Sequence, residues 1–294
     1  MGLLESFNRW EKILWSLKTH ERRFELIENN IENLVNAKYK ALKKNVDHNL
    51  ASKEYSIYSQ NGEDGILLYI FSVIGVENRR FIEFGIGDGQ QCNSANLILN
   101  FGWKGLMIEG NQTKAEMAEL FYSNTSKTKQ NEVIILNEFI TKENINELFE
   151  SANSTGEIDL LSIDIDGNDY WVFEAIKNVD PRVIVIEYNA SFGPDKSVTV
   201  EYDPSFSRFK KHPSGWYHGA SLKALTKLAN DKGYELIGCD SCGVNAFFVK
   251  RELLNDKLEK ISPEEAYYKE KKRSKTHTPS EQFDLIKHLP LIKV

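Results

Sequence analysis

The chain has 294 residues, 41% of them apolar and 27% charged, with a formal net charge of −6. These are values of a folded globular protein, and they exclude a disordered or collagen-like chain. Wholesale nucleic-acid binding usually brings a basic face or a pI above about 9; here the pI is near 5.7, and no nucleic-acid partner is expected.

Residues 1–52 read as a helical extension. Leu3, Leu4, Phe7, Trp10, Ile13, Leu14 and Leu17 recur at three- and four-residue steps, the period of one helix face. Phe24, Ile27, Ile31, Leu34 and Val35 repeat the pattern. Such a stripe would dock within the chain or between copies, so a homodimer through these helices is an expectation. Trp10 and Trp15 would also suit a membrane surface. Glu5 and Glu11 interrupt the apolar residues, and no small-residue cleavage site follows, so the segment does not read as a secretory signal. Three cysteines are too few for a disulfide framework. The expected location is cytoplasmic, with peripheral association at the inner face of the membrane left open.

Residues 53–252 have a different texture. The apolar run from Ile66 to Val76, broken by Ser72 and Gly75, is shorter than the ~18–20 residues that span a bilayer. Strand-like runs then alternate with helical ones. RFIEF (80–84), GLMIE (105–109), EVIIL (132–136), IDLLSIDI (158–165) and RVIVIE (182–187) read as strands. Helices are expected over 93–100, 113–122, 170–177 and 221–232. Tyr234–Ile237 and Ala246–Lys250 read as a closing antiparallel pair. Most strands are continuous apolar runs, as when helices cover both faces of a largely parallel sheet. The fold class is α/β, Rossmann-like, with an N-terminal helical extension.

Glu83-Phe84-Gly85-Ile86-Gly87-Asp88-Gly89 follows the first strand. Glycine permits positive φ and close approach of a ligand. The spacing E-x-G-x-G-x-G departs from the G-x-G-x-x-G of dinucleotide folds, which present a helix N-terminus to a pyrophosphate. Glu83 and Asp88 are poor neighbours for phosphate but good partners for an ammonium group and hydroxyls. That suits S-adenosylmethionine. Glu109, at the end of the second strand with Asn111 just beyond, can accept both ribose hydroxyls.

FIEFGIGDG, the following CNSANLILNFGWKGLMIEGN and the upstream YSQNGEDGIL resemble the FkbM-like branch of class I S-adenosylmethionine-dependent methyltransferases, over roughly residues 55–251. The resemblance implies a class I methyltransferase sheet. It also implies methylation of sugar hydroxyls in surface-polysaccharide biosynthesis, on a sugar, sugar-nucleotide or glycan acceptor. Glu83, Gly85 and Gly87 would line the methionine part and Glu109 the ribose. The turn containing Gln60 and Glu63 would close over the cofactor. Ser59 and Glu63 also fit a helix N-cap. With Asp88, Asn111 and Asp164, these residues are the cofactor-binding candidates.

Asp164-Ile165-Asp166-Gly167-Asn168-Asp169 ends the strongest strand, and Glu187-Tyr188-Asn189 ends the next. Crowded carboxylates are costly unless a cation or donors compensate. Hard oxygen ligands suit Mg²⁺, and Asp164, Glu187 and Asn189 are the metal candidates. Position twelve from Asp164 is Ala175, which excludes an EF-hand loop. For a hydroxyl acceptor, His218 is the first candidate base and Asp166 the second.

The stretch 188–218 carries Phe192, Phe206, Phe209, Trp216 and Tyr217 with Lys210, Lys211 and His212, a composition suited to a nucleotide-sugar or glycan. Cys239-Asp240-Ser241-Cys242 lacks the second pair of a zinc site and reads as structural. Residues 253–294 read as a charged helical tail, with Lys269–Lys275 as a solvated helix face. The sequence thus predicts a methyltransferase. An NAD-dependent oxidoreductase on a similar sheet and a non-catalytic scaffold are the other readings.

Overall fold

The computed structural model describes residues 31, 33–42, 49–125, 128 and 133–294. The chain divides into two units, Met1–Asn45 and Val46–Val294. In the first, residues 33–42 are helical. The apolar stripe from Leu3 to Leu17, and with it the basis for the expected dimer, lies outside the described residues.

In the second unit the elements run α1 (Glu63–Ile74), β1 (Arg80–Phe84), α2 (Ala95–Phe101), β2 (Lys104–Ile108), α3 (Gln112–Asn124), β3 (Val133–Leu136), α4 (Ile145–Ser151), β4 (Gly156–Ile163), α5 (Asp169–Ala175), β5 (Val179–Glu187), β6 (Val198–Val200), α6 (Arg208–Lys211), α7 (Leu222–Asp231), β7 (Tyr234–Cys239), β8 (Asn245–Lys250), α8 (Pro263–Ala266), α9 (Pro279–Ile286) and β9 (Leu291–Lys293). The strands expected from the sequence form one seven-stranded sheet, in the order β3-β2-β1-β4-β5-β8-β7. Strands β1 to β5 pair in parallel, and β8 runs antiparallel to both β5 and β7.

Side chains alternate across a strand. Ile82 and Phe84 of β1 join a core with Phe149, Phe173, Ile184, Leu225 and Phe248, which places α4, α5 and α7 on that face. Glu83 points the other way and accepts from Asn93 N and Ser94 N, just before α2. Helices therefore cover both faces. No described helix is long and apolar enough to cross a membrane.

The order β2-β1-β4 makes a topological switch between β1 and β4. In open α/β sheets the ligand crevice lies at such a point, beyond the carboxyl ends of the strands. Gly85 shows how close the two strand ends come. Its φ is +68°, and an added Cβ would sit 1.6 Å from the Asp164 carbonyl oxygen.

Several elements depart from the sequence reading. The run at Ile66–Phe71 belongs to α1, and each of these six residues is at most 1% exposed. A helix buried on every side leaves no polar stripe to reveal its period. Residues 198–200 and 291–293 form a two-stranded antiparallel sheet. The segment Lys269–Lys275 is not a solvated helix face: only a single 3₁₀ turn, Arg273–Lys275, forms there. Tyr188 donates through its hydroxyl to Tyr268 O at 2.7 Å, and Tyr267 does so to Ala190 O at 2.7 Å. These bonds tie the segment against the residues that follow β5.

At the opposite edge of the sheet, buried Asp159 accepts from Glu77 N, Asn78 N and Arg79 N, and from Arg182 Nη1 at 2.7 Å. This one carboxylate fixes the entry to β1 against β4 and β5. Asp159→Ala strands the Arg182 guanidinium in a buried place, which costs about 3–5 kcal/mol. Denaturant unfolding should show that loss; a change below about 1 kcal/mol would contradict the role given to the pair.

Candidate active site

A cavity of about 840 Å³ lies along the carboxyl edge of the sheet. Its wall takes residues from every strand end between β3 and β4, from the N-terminus of α1 and from the start of β8. All nine cofactor-binding candidates line it: Gln60, Glu63, Glu83, Gly85, Gly87, Asp88, Glu109, Asn111 and Asp164.

Their carboxylates are not equally free. Glu83 is buried and accepts from Asn93 N, Ser94 N and the hydroxyls of Ser94 and Ser162. Burial raises its pKa against those donors. These bonds anchor the loop before α2, which corrects the expectation that Glu83 is offered to an ammonium group. Glu109 accepts from Gly87 N and Asn111 N, each at 2.8 Å, one per oxygen. It thereby joins the glycine turn to the end of β2 and keeps the second lone pair of each oxygen. Asn111 caps α3 through Lys114 N, and Asp88 accepts from Gln90.

Gly87 also has positive φ, +58°, yet an added Cβ would meet nothing within 4 Å. Gly85 is required by a neighbouring backbone, whereas Gly87 faces open space in the cavity wall.

The Ser59–Asp64 turn is built by exchange. Asp64 accepts from Ile57 N, Tyr58 N and Ser59 N, and Asp64 N donates to Ser59 Oγ. Ser59 is not the cap residue: α1 begins after Gly62, which makes no side-chain cap bond, although Glu63 does lie in the first turn as expected. Glu63 accepts from Asn61 N, from Asn61 Nδ2 and from Asn245 Nδ2. Gln60 is exposed at the cavity.

The sequence reading missed Met117, Phe139 and Asn245. Met117 and Phe139 are about half exposed, at 47% and 52%, and both line the cavity. Phe139 stands just past β3, much as Glu109 stands past β2, so strand-end position is the signal that would have found it.

A second group of acids lies beyond β4 and β5. One oxygen each from Asp164, Asp169 and Glu187 come within 4.8 Å of one another, as do ligand atoms of Asp166, Glu187 and His218. Asp169 is spent on the loop, accepting from Ile165 N and Gly167 N. Asp166 is exposed, with positive φ, and pairs with Arg208. Asp164 reaches the cavity. Burial, then the Glu187 charge, holds its pKa well above the usual carboxylate range. Burial and the charges of Asp166 and Asp169 push Glu187 up to about 8.

His218 does not fit the role of base. It is 1% exposed, and its Nε2 lies 3.0 Å from Arg273 Nη2. A guanidinium only donates, so Nε2 is the acceptor and the proton sits on Nδ1. Nδ1 faces Glu187 Oε2 at 3.5 Å. Burial, then the Arg273 charge, lowers its pKa to about 3. Its one lone pair is occupied.

The expected Mg²⁺ ligands do not come together either. Asn189 Oδ1 accepts from Ser191 N and Arg273 Nη1, and its Nδ2 donates to Trp216 O and His218 O. The Nδ1 proton likewise keeps His218 from a ligand role. Asp164 and Glu187 alone remain of the expected set, beside the cations Arg208 and Arg273, and no step is assigned to a metal.

The aromatic stretch after β5 is largely interior. Phe192, Phe206 and Tyr217 form a small core with Val198, Val200 and Ile286, which corrects the expectation of a displayed sugar-binding loop. Phe206 still touches the cavity, and Phe209 is 63% exposed. The turn at Cys239–Cys242 is held by Asp240, which accepts from Cys242 N, Val244 N and Asn245 N.

Comparison with solved structures finds the cofactor-bound Rv0187 from MTB, 16% identical over 74% of this chain and 89% of that one, with a TM-score of 0.42. The N-terminal domain of EvdMO1 with SAH bound is 14% identical over 65% and 80%, with a TM-score of 0.41. PKMT2 from Rickettsia typhi in complex with AdoHcy is 10% identical over 70% of this chain; the match spans 56% of that chain, with a TM-score of 0.42. No curated protein matches. The sequence profile described as the methyltransferase FkbM domain matches residues 17–236. That span is well over half the chain: the protein belongs to the FkbM methyltransferase family and is an S-adenosylmethionine-dependent methyltransferase.

Proposed function

We propose that this chain transfers a methyl group from S-adenosylmethionine to a hydroxyl of a sugar or glycan. The cofactor lies across the carboxyl edge of the sheet. Its adenine meets the apolar surface of Met117 and Phe139, both half-exposed at the cavity. Its ribose hydroxyls donate to the remaining lone pairs of Glu109. The sulfonium passes Gly87, where no side chain intrudes.

The observation that carries the acceptor class is Asp164 at the cavity with Glu187 behind it. Two half-compensated carboxylates share one proton more readily than they release both. Such a pair accepts a proton near neutral pH. In the step, the acceptor oxygen attacks the methyl carbon in line with the C–S bond. The O–C bond forms, the C–S bond breaks with its electron pair left on sulfur, and the hydroxyl proton passes to Asp164. The products are a methyl ether and S-adenosylhomocysteine. A sugar would offer its hydroxyls to Asp164, and Phe206, which lines the cavity, would contact its apolar ring face.

Two measurements test this reading. Gly87→Leu should weaken S-adenosylhomocysteine binding by calorimetry at least tenfold, while the positive φ costs about 1–2 kcal/mol of stability. Unchanged affinity would remove the cofactor from this part of the cavity. With methyl-labelled S-adenosylmethionine and a panel of sugars and nucleotide sugars, label should enter a hydroxyl; transfer only to amines or thiols would overturn the acceptor class. On the labelled acceptor, kcat/KM should rise with pH and level off once the pair has lost its shared proton, which burial and mutual repulsion hold above the usual carboxylate range. Asp164→Asn should lower it 10²–10⁴-fold. Glu187→Gln removes a neighbouring negative charge, so the acidic limb should move to lower pH; an unmoved limb would contradict the pairing.

A further inference from the structure

Asn245 opens β8 directly opposite Glu187 of β5. It is 5% exposed and lines the cavity beside Gln60, Asn61 and Glu63. Its Nδ2 donates to Glu63 Oε1 at 2.8 Å. A carboxylate only accepts, so this bond fixes which way the amide is turned. Oδ1 is then the free end, and it is buried with no hydrogen-bond partner.

An unsatisfied buried acceptor is destabilising, and the surroundings do not let the amide escape it. The β7–β8 turn is clasped twice to the segment that leads into α1. Ser241 donates through N and Oγ to the Glu54 carboxylate, and Asn245 donates to Glu63. The backbone of Asn245 is held by Asp240. Three carboxylates adjoin Asn245: Glu63 on its amide, Asp240 on its backbone N and Glu187, its partner across the strand pair. The combination of an orphan acceptor and negative potential selects a cationic donor.

We propose that Asn245 Oδ1 and the Glu63 carboxylate receive the α-ammonium group of the cofactor's amino-acid part. The inference rests on the cavity holding S-adenosylmethionine, and it adds a binding residue from the far side of the sheet. It replaces Glu83, whose oxygens are already taken by Asn93 and Ser94. Asn245 is a cofactor-orienting residue: held by its ammonium, the amino-acid part fixes the direction in which the methyl group leaves sulfur.

The test uses the whole chain and three ligands in calorimetry: S-adenosylhomocysteine, its analogue with the ammonium replaced by hydrogen, and 5′-methylthioadenosine, which lacks the amino-acid part. In the wild type, loss of the ammonium should weaken binding at least tenfold. In Asn245→Leu that penalty should fall to threefold or less, and 5′-methylthioadenosine affinity should stay within twofold of the wild type. Glu63→Gln, which keeps its hydrogen-bonding shape, should show the same selective loss. An ammonium penalty equally large in both variants would overturn the assignment while leaving the cofactor reading in place. Equal weakening of all three ligands would overturn it as well, since it would mark a structural role only. If none of the three bound the wild type, the cofactor reading itself would fall. The wild-type comparison of the first two ligands needs no variant, so it stands even where a substitution prevents folding.

Discussion

The site depends on one close approach. The ends of β1 and β4 run so near each other that the Asp164 carbonyl occupies the space a side chain at position 85 would need. Only glycine permits this contact together with a φ of +68°. Because the strand ends touch, the glycine turn is turned outward and Gly87 reaches the Glu109 carboxylate at 2.8 Å. Asp164 is brought to the same cavity as the turn. Cofactor surface and acidic edge are therefore two sides of one strand crossing rather than separate sites.

The acids along that edge divide by what their oxygens already do. Glu83, Asp169 and one oxygen of Asp64 accept from backbone donors and hold loops in place. Each N–H supplied to a carboxylate stabilises its charged form, so these groups serve structure. Asp164 and Glu187 lack such donors in number, and burial leaves their charge costly. On the proposed reading, that cost is what suits the pair to take up a proton. His218 looks like a base by residue type, yet Arg273 occupies its lone pair; here the environment outweighs the chemistry of the side chain.

Much of the scaffold was legible in the sequence because parallel strands covered on both faces read as unbroken apolar runs. The glycine turn, Glu109 and Asp164 were legible because each ends such a run. The start of α1 was legible in Glu63 of its first turn, but its apolar body was not assigned, because burial on every side erases its period. Arg273 escaped because its partners, His218 and Asn189, lie far off in sequence, and a charge run carries no hint of burial. Two capping boxes near it, Ser262-Pro263-Glu264-Glu265 and Thr278-Pro279-Ser280-Glu281, carry a local pattern that the sequence reading passed over. The aromatics of 192–217 suggested a ligand surface, but sequence alone does not separate a displayed ring from one that packs on Val198, Val200 and Ile286.

Determining the structure of the chain crystallised with S-adenosylhomocysteine tests the central claim most directly. The account predicts density along the carboxyl edge, with the ribose hydroxyls on Glu109 and the sulfur beside Gly87. Density for that ligand elsewhere on the molecule, with this crevice closed by its own side chains, would contradict it.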